Sequence, residues 1–457
     1  MDQAYTPLNV ARVATAYAQY VCAQGGQRKG VVVGYDQRLN SENFAEQVAD
    51  LLAVYGIRVW LSDAACPTPA VSSYVIEQGA FGGVVITASH NPADFNGFKI
   101  KDGFGKSADA EVTQWVEQHM DDASVGAIHE LPLRTRPTVA TVSLNASYLN
   151  RIKKAVDLEL IARQPLNILV NYLYGSGAGL MKLLFPENQG QVHITEMNAV
   201  RDVRFGGINP EPIESNLKDM QKRMRAEHFD LGLVFDGDAD RIGALGPGGV
   251  FLSSQDIYVL LTWHLAQNKK LSGRIVKSFN ITDRLERLAK SRNLPLVVTP
   301  IGFKFIAPYL LQVDTLIGGE ESGGFGVRYY MPERDGIFCG LLLLEALAMR
   351  QQGLSEILAD IQAEVGYAAY DRLDLHIESN EKKDALIAQV QAPFKMEFAG
   401  LPILAIETLD GIKYRFGDGY WILFRKSGTE PLLRVYAEGP DAESVASLLG
   451  AAKVLVG

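Results

Sequence analysis

Up to about residue 340, short apolar runs rich in β-branched residues alternate with amphipathic helical stretches, and most of the runs end in glycine or polar loop residues. A β-branched run fits a buried strand, and a helix between two such strands carries the chain back across the sheet, so the pattern demands α/β units on parallel sheets. Residues 30–34 (GVVVG), 57–61 and 82–87 (GGVVIT) read as strands. A helix over 41–55 lies between the first two, with Asn40 or Ser41 as its cap. Residues 167–171 (NILVN), 192–196 and 231–235 (LGLVF) form a second set, and 274–277, 296–299 and 315–317 a third. Beyond Tyr370 the strand candidates 401–407, 420–424 and 433–437 are closely spaced. With a Gly417-Asp418-Gly419 turn and a terminal helix from about Asp441, they suggest a smaller α+β domain. The expected division of the 457 residues is 1–135, 136–252, 253–368 and 369–457, with linkers near 131–137 and 378–384.

Composition excludes several classes. A net charge of −9 leaves no overall positive field for a nucleic-acid backbone or an anionic membrane surface, so neither partner is expected. The apolar stretches fall short of the roughly 20 residues a bilayer requires, and no signal pattern opens the chain, so a cytoplasmic location is expected. Cys22, Cys66 and Cys339 form no CxxC pair and read as packing residues.

In open parallel sheets, ligands gather outside the carboxyl ends of the strands, which directs attention to the loops there. The strand at 82–87 runs into Ala88-Ser89-His90-Asn91-Pro92, and a Ser-His pair in this setting also reads as an ordinary turn. After 231–235 come Asp236-Gly237-Asp238-Ala239-Asp240-Arg241. Three carboxylates at alternate positions repel one another unless a cation or strong donors hold them, and an all-oxygen donor set points to Mg²⁺. A calcium loop fails on spacing, because its glycine position falls on Arg241 and its closing glutamate on Pro247. A strand ending in Asp-x-Asp is also similar to the haloacid-dehalogenase-like phosphatases and mutases, which would make Asp236 an aspartyl-phosphate nucleophile; that family usually has Thr or Val where Asp240 stands. Gly318-Gly319-Glu320-Glu321-Ser322-Gly323-Gly324 can bring a carboxylate and a hydroxyl against vicinal sugar hydroxyls, or form a plain acidic loop. Arg425-Lys426-Ser427-Gly428-Thr429-Glu430-Pro431, with Arg434 beyond it, can cradle a phosphate or form a basic turn.

Taken together, TASHNP at 87–92 with NGFK at 96–99, DGDADR at 236–241, GEESGG at 319–324 and RKSGTEP at 425–431 resemble, in order, the α-D-phosphohexomutases, which include phosphoglucomutases and phosphomannomutases. The resemblance implies three related α/β domains with mixed or parallel sheets and a C-terminal α+β domain around a central cleft. It implies Ser89 as a phosphoserine that also contributes to the metal site, and Lys99 as a general acid/base held at a lowered pKa, with His90 in support. Asp236, Asp238 and Asp240 would hold one Mg²⁺. Arg241, Gly302, Lys304, Glu320 and Ser322 would contact the substrate, while Arg425, Ser427, Gly428, Thr429 and Arg434 would grip the phosphate that does not react. The implied reaction interconverts hexose 1- and 6-phosphates through a 1,6-bisphosphate, with glucose 1,6-bisphosphate as intermediate and activator. The implied partners are small sugar phosphates, and the implied state is monomer or homodimer. Glu321 and the GFKF segment at 302–305 resemble the glucose-specific members more than those with Met or Gln at that position, with mannose second and glucosamine third. An aspartyl-phosphate enzyme using Asp236, or a sugar-phosphate binding protein without turnover, are the competing expectations.

Family members begin with a strand and loop similar to FGTxGxRG, whose arginine lies beside the phosphoserine. Tyr5 to Arg12 here resembles the segment that follows, so that arginine and the first strand are expected to be missing, with lower activity and stability. Alternatively Arg38, after Gly34-Tyr35-Asp36, takes over the role.

Overall fold

In a computed structural model, residues 5–120, 139–187, 189–392, 396–417, 419–426 and 432–456 are described. Three mixed sheets follow one another along the chain, and a fourth, fully antiparallel sheet closes it. The first runs in the order Phe98–Lys101, Gly82–Ile86, Val31–Tyr35, Val59–Ser62, Val139–Val142. Val139–Val142 pairs in parallel with Val59–Ser62, so this sheet reaches past residue 135, where the first unit was expected to end. The second runs Val250–Leu252, Ile242–Gly246, Leu231–Phe235, Asn167–Asn171, His193–Met197, and the third Leu296–Thr299, Arg274–Ser278, Thr315–Gly319, Phe325–Val327.

One arrangement recurs in all three. A fully buried parallel strand delivers a loop, and the chain comes back on an antiparallel strand of the same sheet: Gly82–Ile86 with Phe98–Lys101, Leu231–Phe235 with Ile242–Gly246, and Thr315–Gly319 with Phe325–Val327. Each chemically interesting loop is thereby laddered to its sheet at both ends. The return strands escaped the alternation argument because they are short: Phe98–Lys101 is interrupted by Lys99 and Lys101, and Ile242–Gly246 and Phe325–Val327 are brief glycine-containing runs, whereas a parallel-sheet signal relies on continuous apolar runs.

Apolar burial makes the first three units one body. A single cluster includes Val32 and Val71 of the first unit, Ile168 and Phe235 of the second, and Ile275 and Ile317 of the third. Helix Gly336–Arg350 is buried from Gly336 to Ala348 and runs through that cluster. A helix apolar on every side needs such an interior position. No single described helix is long and apolar enough to cross a membrane. The fourth sheet, in the order Ala369–His376, Leu432–Gly439, Tyr420–Lys426, Ile412–Gly417, Ala405–Glu407, keeps its own core with the terminal helix Ala442–Val456. Phe279 of the third unit joins Trp421, Leu423 and Tyr436 in a small cluster where the two meet.

Several local expectations are corrected. Residues 378–384 are no linker, because Ser379 accepts a hydrogen bond from Lys382 N and caps helix Asn380–Gln391. Strand 401–407 is divided into Leu401–Pro402 and Ala405–Glu407. Asn40 precedes helix Ser41–Val54 in a left-handed conformation without a side-chain cap, and the Ser41 hydroxyl instead donates to Asp36. The linker at 131–137 and Asp418 lie outside the described residues.

Candidate active site

Ser89 stands on the first loop with φ of 51°, a left-handed conformation uncommon for a residue with a Cβ. Its amide bonds to Thr87 Oγ1 at 2.9 Å, and its hydroxyl donates to Asp236 Oδ2 at 2.9 Å across the boundary between the first and second units. Arg38 holds this conformation in place. Its Nε donates to Asp36, and its two terminal nitrogens donate to the carbonyls of Ser89, Asn91, Pro92 and Phe95 at 2.6–3.0 Å. A guanidinium has five N–H groups, and all five are used. Arg38 therefore has no donor left for a phosphoryl group; it braces the loop from behind, and the expectation that it replaces a missing phosphate-binding arginine is overturned.

Asp236, Asp238 and Asp240 are fully buried and each presents a carboxylate oxygen within 4.8 Å of the others. Asp238 Oδ1 and Asp240 Oδ1 have no hydrogen-bond partner. Three clustered carboxylates, two of them with an orphaned buried oxygen, are the all-oxygen donor set a hard dication takes, so these residues fit Mg²⁺. Burial, then repulsion from Asp238 and Asp240, push Asp236 well above the usual carboxylate range. Burial would raise Asp238 too, but Lys99 at 2.6 Å and the Thr68 hydroxyl at 2.5 Å outweigh it and hold that carboxyl low. Thr68 also donates its amide to the Asp238 carbonyl at 2.9 Å, so the first unit grips this loop at two points.

The expected lowered pKa of Lys99 is not found. Burial favours the neutral amine, yet Asp238 and Asp240 (the latter at 3.5 Å) overcome it and raise the ammonium above its ordinary value. His90 goes the other way. Burial and the Arg241 charge push its imidazole down to about 3. Glu211, unremarked in the sequence, stands 3.9 Å from His90 and 3.6 Å from Arg241.

The third loop joins the second directly. Ile242 N donates to the Gly323 carbonyl at 3.0 Å, and Gly323 has φ of +86° with a Cβ position 2.5 Å from the Ile242 carbonyl, a contact only glycine permits. Glu320 is buried, and burial raises its pKa. Arg334 bridges the loops by donating to Asp240 Oδ2 at 2.7 Å and Glu320 Oε2 at 3.2 Å. Ser322 Oγ is buried with no partner. Glu321 turns towards Arg372 of the fourth unit, at 3.4 Å.

Lys304 is not drawn into this network. It is exposed, with its ammonium 5.0 Å from the Phe305 ring centroid, and Gly302 precedes helix Phe303–Leu310. Ser427, Gly428 and Thr429 lie outside the described residues. Arg425 and Arg434 are direct cross-strand partners. Asp410 accepts from Arg425 Nε at 3.1 Å and Asp374 is the cross-strand partner of Arg434 on its other side, so carboxylates of the chain offset part of the repulsion between the two arginines.

Sequence reasoning missed Thr68, Arg334 and Glu211. Thr68 carries a weak signal, a threonine between two prolines at the start of a helix after a strand. Arg334 carries none, since nothing near it in the chain predicts a contact with Asp240, 94 positions away.

Comparison with known proteins agrees with this geometry. Residues 1–125, 146–249, 253–365 and 377–452 match in turn the families described as phosphoglucomutase/phosphomannomutase alpha/beta/alpha domains I, II and III and the C-terminal domain. A phosphoglucomutase/phosphomannomutase of Thermococcus kodakarensis is 28% identical over 448 residues, which cover 98% of this chain and 94% of that one. A phosphoglucosamine/phosphogalactosamine mutase of Sulfurisphaera tokodaii is 29% identical, with 94% and 92% covered. The crystal structure of a "putative phosphomannomutase" from Thermus thermophilus superposes with a TM-score of 0.87 at 32% identity, covering 100% of this chain and 96% of that one. With four domains matched in order and a fold shared along its whole length, the chain belongs to the phosphoglucomutase/phosphomannomutase family of sugar-phosphate mutases.

Proposed function

We propose that the protein interconverts hexose 1-phosphates and hexose 6-phosphates, glucose first and mannose second, through a phosphorylated Ser89 and a 1,6-bisphosphate that reorients in the cleft. The observation that carries this reading is the hydrogen bond from Ser89 Oγ to Asp236, with the other two aspartates, Lys99 and Glu320 linked to the same point. In one half-reaction a sugar oxygen attacks phosphoserine phosphorus, its P–O bond forms as the Ser89 Oγ–P bond breaks, and the electron pair returns to Oγ. In the other half, Ser89 recovers a phosphoryl group from the opposite end of the sugar. Asp236, Asp238 and Asp240 would hold Mg²⁺, which when bound would supply charge neutralisation at the phosphoryl oxygens, the main demand of this chemistry.

The chain's own residues do the rest. Lys99, whose ammonium lies 2.6 Å from Asp238 and 3.5 Å from Asp240, is the group placed to move the proton of the attacking hydroxyl. Neutral His90 adds no repulsion towards Arg241 and offers a hydrogen-bonding ring nitrogen beside the loop that carries Ser89. Arg241 and the Arg425–Arg434 pair offer two separate anion-binding points, as a substrate phosphorylated at both ends requires. Glu320, which is buried, and the Ser322 hydroxyl, which has no hydrogen-bond partner, are the groups on this loop that would meet sugar hydroxyls. The preference for glucose rests on the GFKF segment and on Glu321. Glu321 accepts from Arg372 of the fourth unit and from Asn280 of the third, so its influence on sugar choice would involve both units.

Ser89→Ala tests the reading, since the hydroxyl is replaceable in shape but not in chemistry. Expected are a folded variant, loss of turnover on glucose 1-phosphate by at least about 1000-fold, and no phosphate transfer from labelled glucose 1,6-bisphosphate to the protein. Transfer that persists and is released by hydroxylamine would assign the nucleophile to Asp236 instead. Turnover compared on glucose 1-phosphate, mannose 1-phosphate and glucosamine 1-phosphate tests the order of sugars.

A further inference from the structure

Asp410 lies outside every motif considered so far, at the turn before strand Ile412–Gly417 of the fourth unit. Its two carboxylate oxygens are divided between two units. Oδ1 accepts from Arg425 Nε at 3.1 Å, and Oδ2 accepts from the amide of Ile301 at 2.8 Å. Ile301 leads into Gly302, Phe303 and Lys304 at the start of helix Phe303–Leu310 in the third unit. One carboxylate thus fastens a phosphate-facing arginine to the loop that opens a neighbouring unit's helix.

The geometry of the arginine gives this tie a use. A guanidinium bound through Nε keeps both terminal nitrogens free, and those two form the fork that matches two oxygens of a phosphate. Without the tie, Arg425 is a long side chain with several rotatable bonds, 24% exposed, set directly opposite Arg434 and repelled by it. From this division of contacts we infer that Asp410 is a positioning residue for the non-reacting phosphate: it aims the Arg425 fork and locks the fourth unit's anion site in register with the loop at Ile301 to Lys304. The inference rests on the proposed role of Arg425 as a phosphate ligand.

The role predicts a specific kinetic signature. The non-reacting phosphate is gripped alike in ground and transition states, so a loss of aim should raise KM and leave kcat nearly unchanged. Asp410→Asn keeps the shape and one oxygen acceptor but loses the charge-assisted hold on Nε, and at 23% side-chain exposure the site tolerates the change without a buried orphan charge. With the Mg²⁺-loaded full chain and glucose 1-phosphate, the expected result is a KM about 10-fold higher, a kcat within about 3-fold of wild type and an unchanged melting temperature.

Arg425→Gln and the double variant complete the test. Arg425→Gln should raise KM more than Asp410→Asn does, and adding Asp410→Asn to it should raise KM little further, because the aimed group is already gone. If Arg425→Gln leaves KM unchanged, the phosphate site itself is misassigned. If Arg425→Gln raises KM but Asp410→Asn does not, or if the two effects multiply fully, the positioning role is wrong while the phosphate site stands. A fall in kcat and melting temperature with constant KM would make Asp410 a merely structural tie and also overturn the inference.

Discussion

Gly237 separates the first two metal-loop aspartates, and the smallest possible enlargement there tests the whole construction of the site. A Cβ on Gly237 would lie 2.4 Å from the Ser89 carbonyl oxygen and 3.1 Å from Pro210 Cγ. The first of these is a backbone atom that also accepts from Arg38 at 2.6 Å, so it cannot swing aside as a flexible side chain could. Reaching even the 3.0 Å floor for such contacts requires the two loops to part by about 0.6 Å. Added to the 2.9 Å between Ser89 Oγ and Asp236 Oδ2, that shift takes the pair to about 3.5 Å, the edge of hydrogen bonding. Overpacking of this kind costs about 1–3 kcal/mol, and misplacing reacting groups by about 1 Å costs up to about 100-fold in rate. Gly237→Ala should therefore lower kcat on glucose 1-phosphate by about 10- to 100-fold and the melting temperature by a few degrees. Gly248→Ala is the control. There φ is +71° with nothing within 4 Å of the added Cβ, so the variant carries backbone strain of about 1 kcal/mol yet should keep wild-type kcat. Gly237→Ala with kcat within about twofold of wild type would refute the argument that the Ser89 and Asp236 loops are held in close register.

Two further outcomes are expected. Asp238→Asn removes one carboxylate from the cage and the partner of both Lys99 and Thr68, so calorimetric titration should show Mg²⁺ affinity reduced at least about 10-fold, and an unchanged isotherm would remove Asp238 from the metal site. His90 has its pKa pushed down to about 3 from an ordinary value of 6.5, so between those pH values the unfolded chain binds a proton that the folded chain refuses. His90 therefore costs nothing above pH 6.5 and penalises the folded state as pH falls towards 3. His90→Gln should gain stability relative to wild type on going from about pH 7 to about pH 4.5 in urea melts, and parallel curves would show that the imidazole is not buried as described.

How much could be read beforehand differed by the kind of information involved. Strands such as Asn167–Asn171 and Leu231–Phe235 were located to the residue because buried parallel strands are continuous apolar runs with polar ends. The three aspartates announced themselves because their mutual repulsion is a local property of six residues. Lys99 was found through its motif, while the strand that carries it was not. Arg334 and Asp410 were invisible, and Thr68 nearly so, for a different reason: each acts across a unit boundary, on a partner 94 or more positions away. Local chemistry is written along the chain, but the register between units is set by packing of the whole. Arg38 shows the same limit in reverse, since its position suggested a free cation and only the three-dimensional loop reveals that it is spent on carbonyls.

The doubly laddered loops separate what the protein can change from what it cannot. The proposed nucleophile, metal cage and sugar contacts sit on three different hairpins, each anchored on its own sheet. On the proposed function, a residue exchanged between Gly319 and Phe325 would alter which hydroxyls are recognised without passing through the sheet that carries Ser89. Inheritance could thus act on these tasks separately so long as the ties at Gly323 and Arg334, which join the third loop to the second, are kept. A lineage built on such a frame can drift from one hexose to another by rewriting a single short connection, while the apparatus that moves phosphorus is copied unchanged.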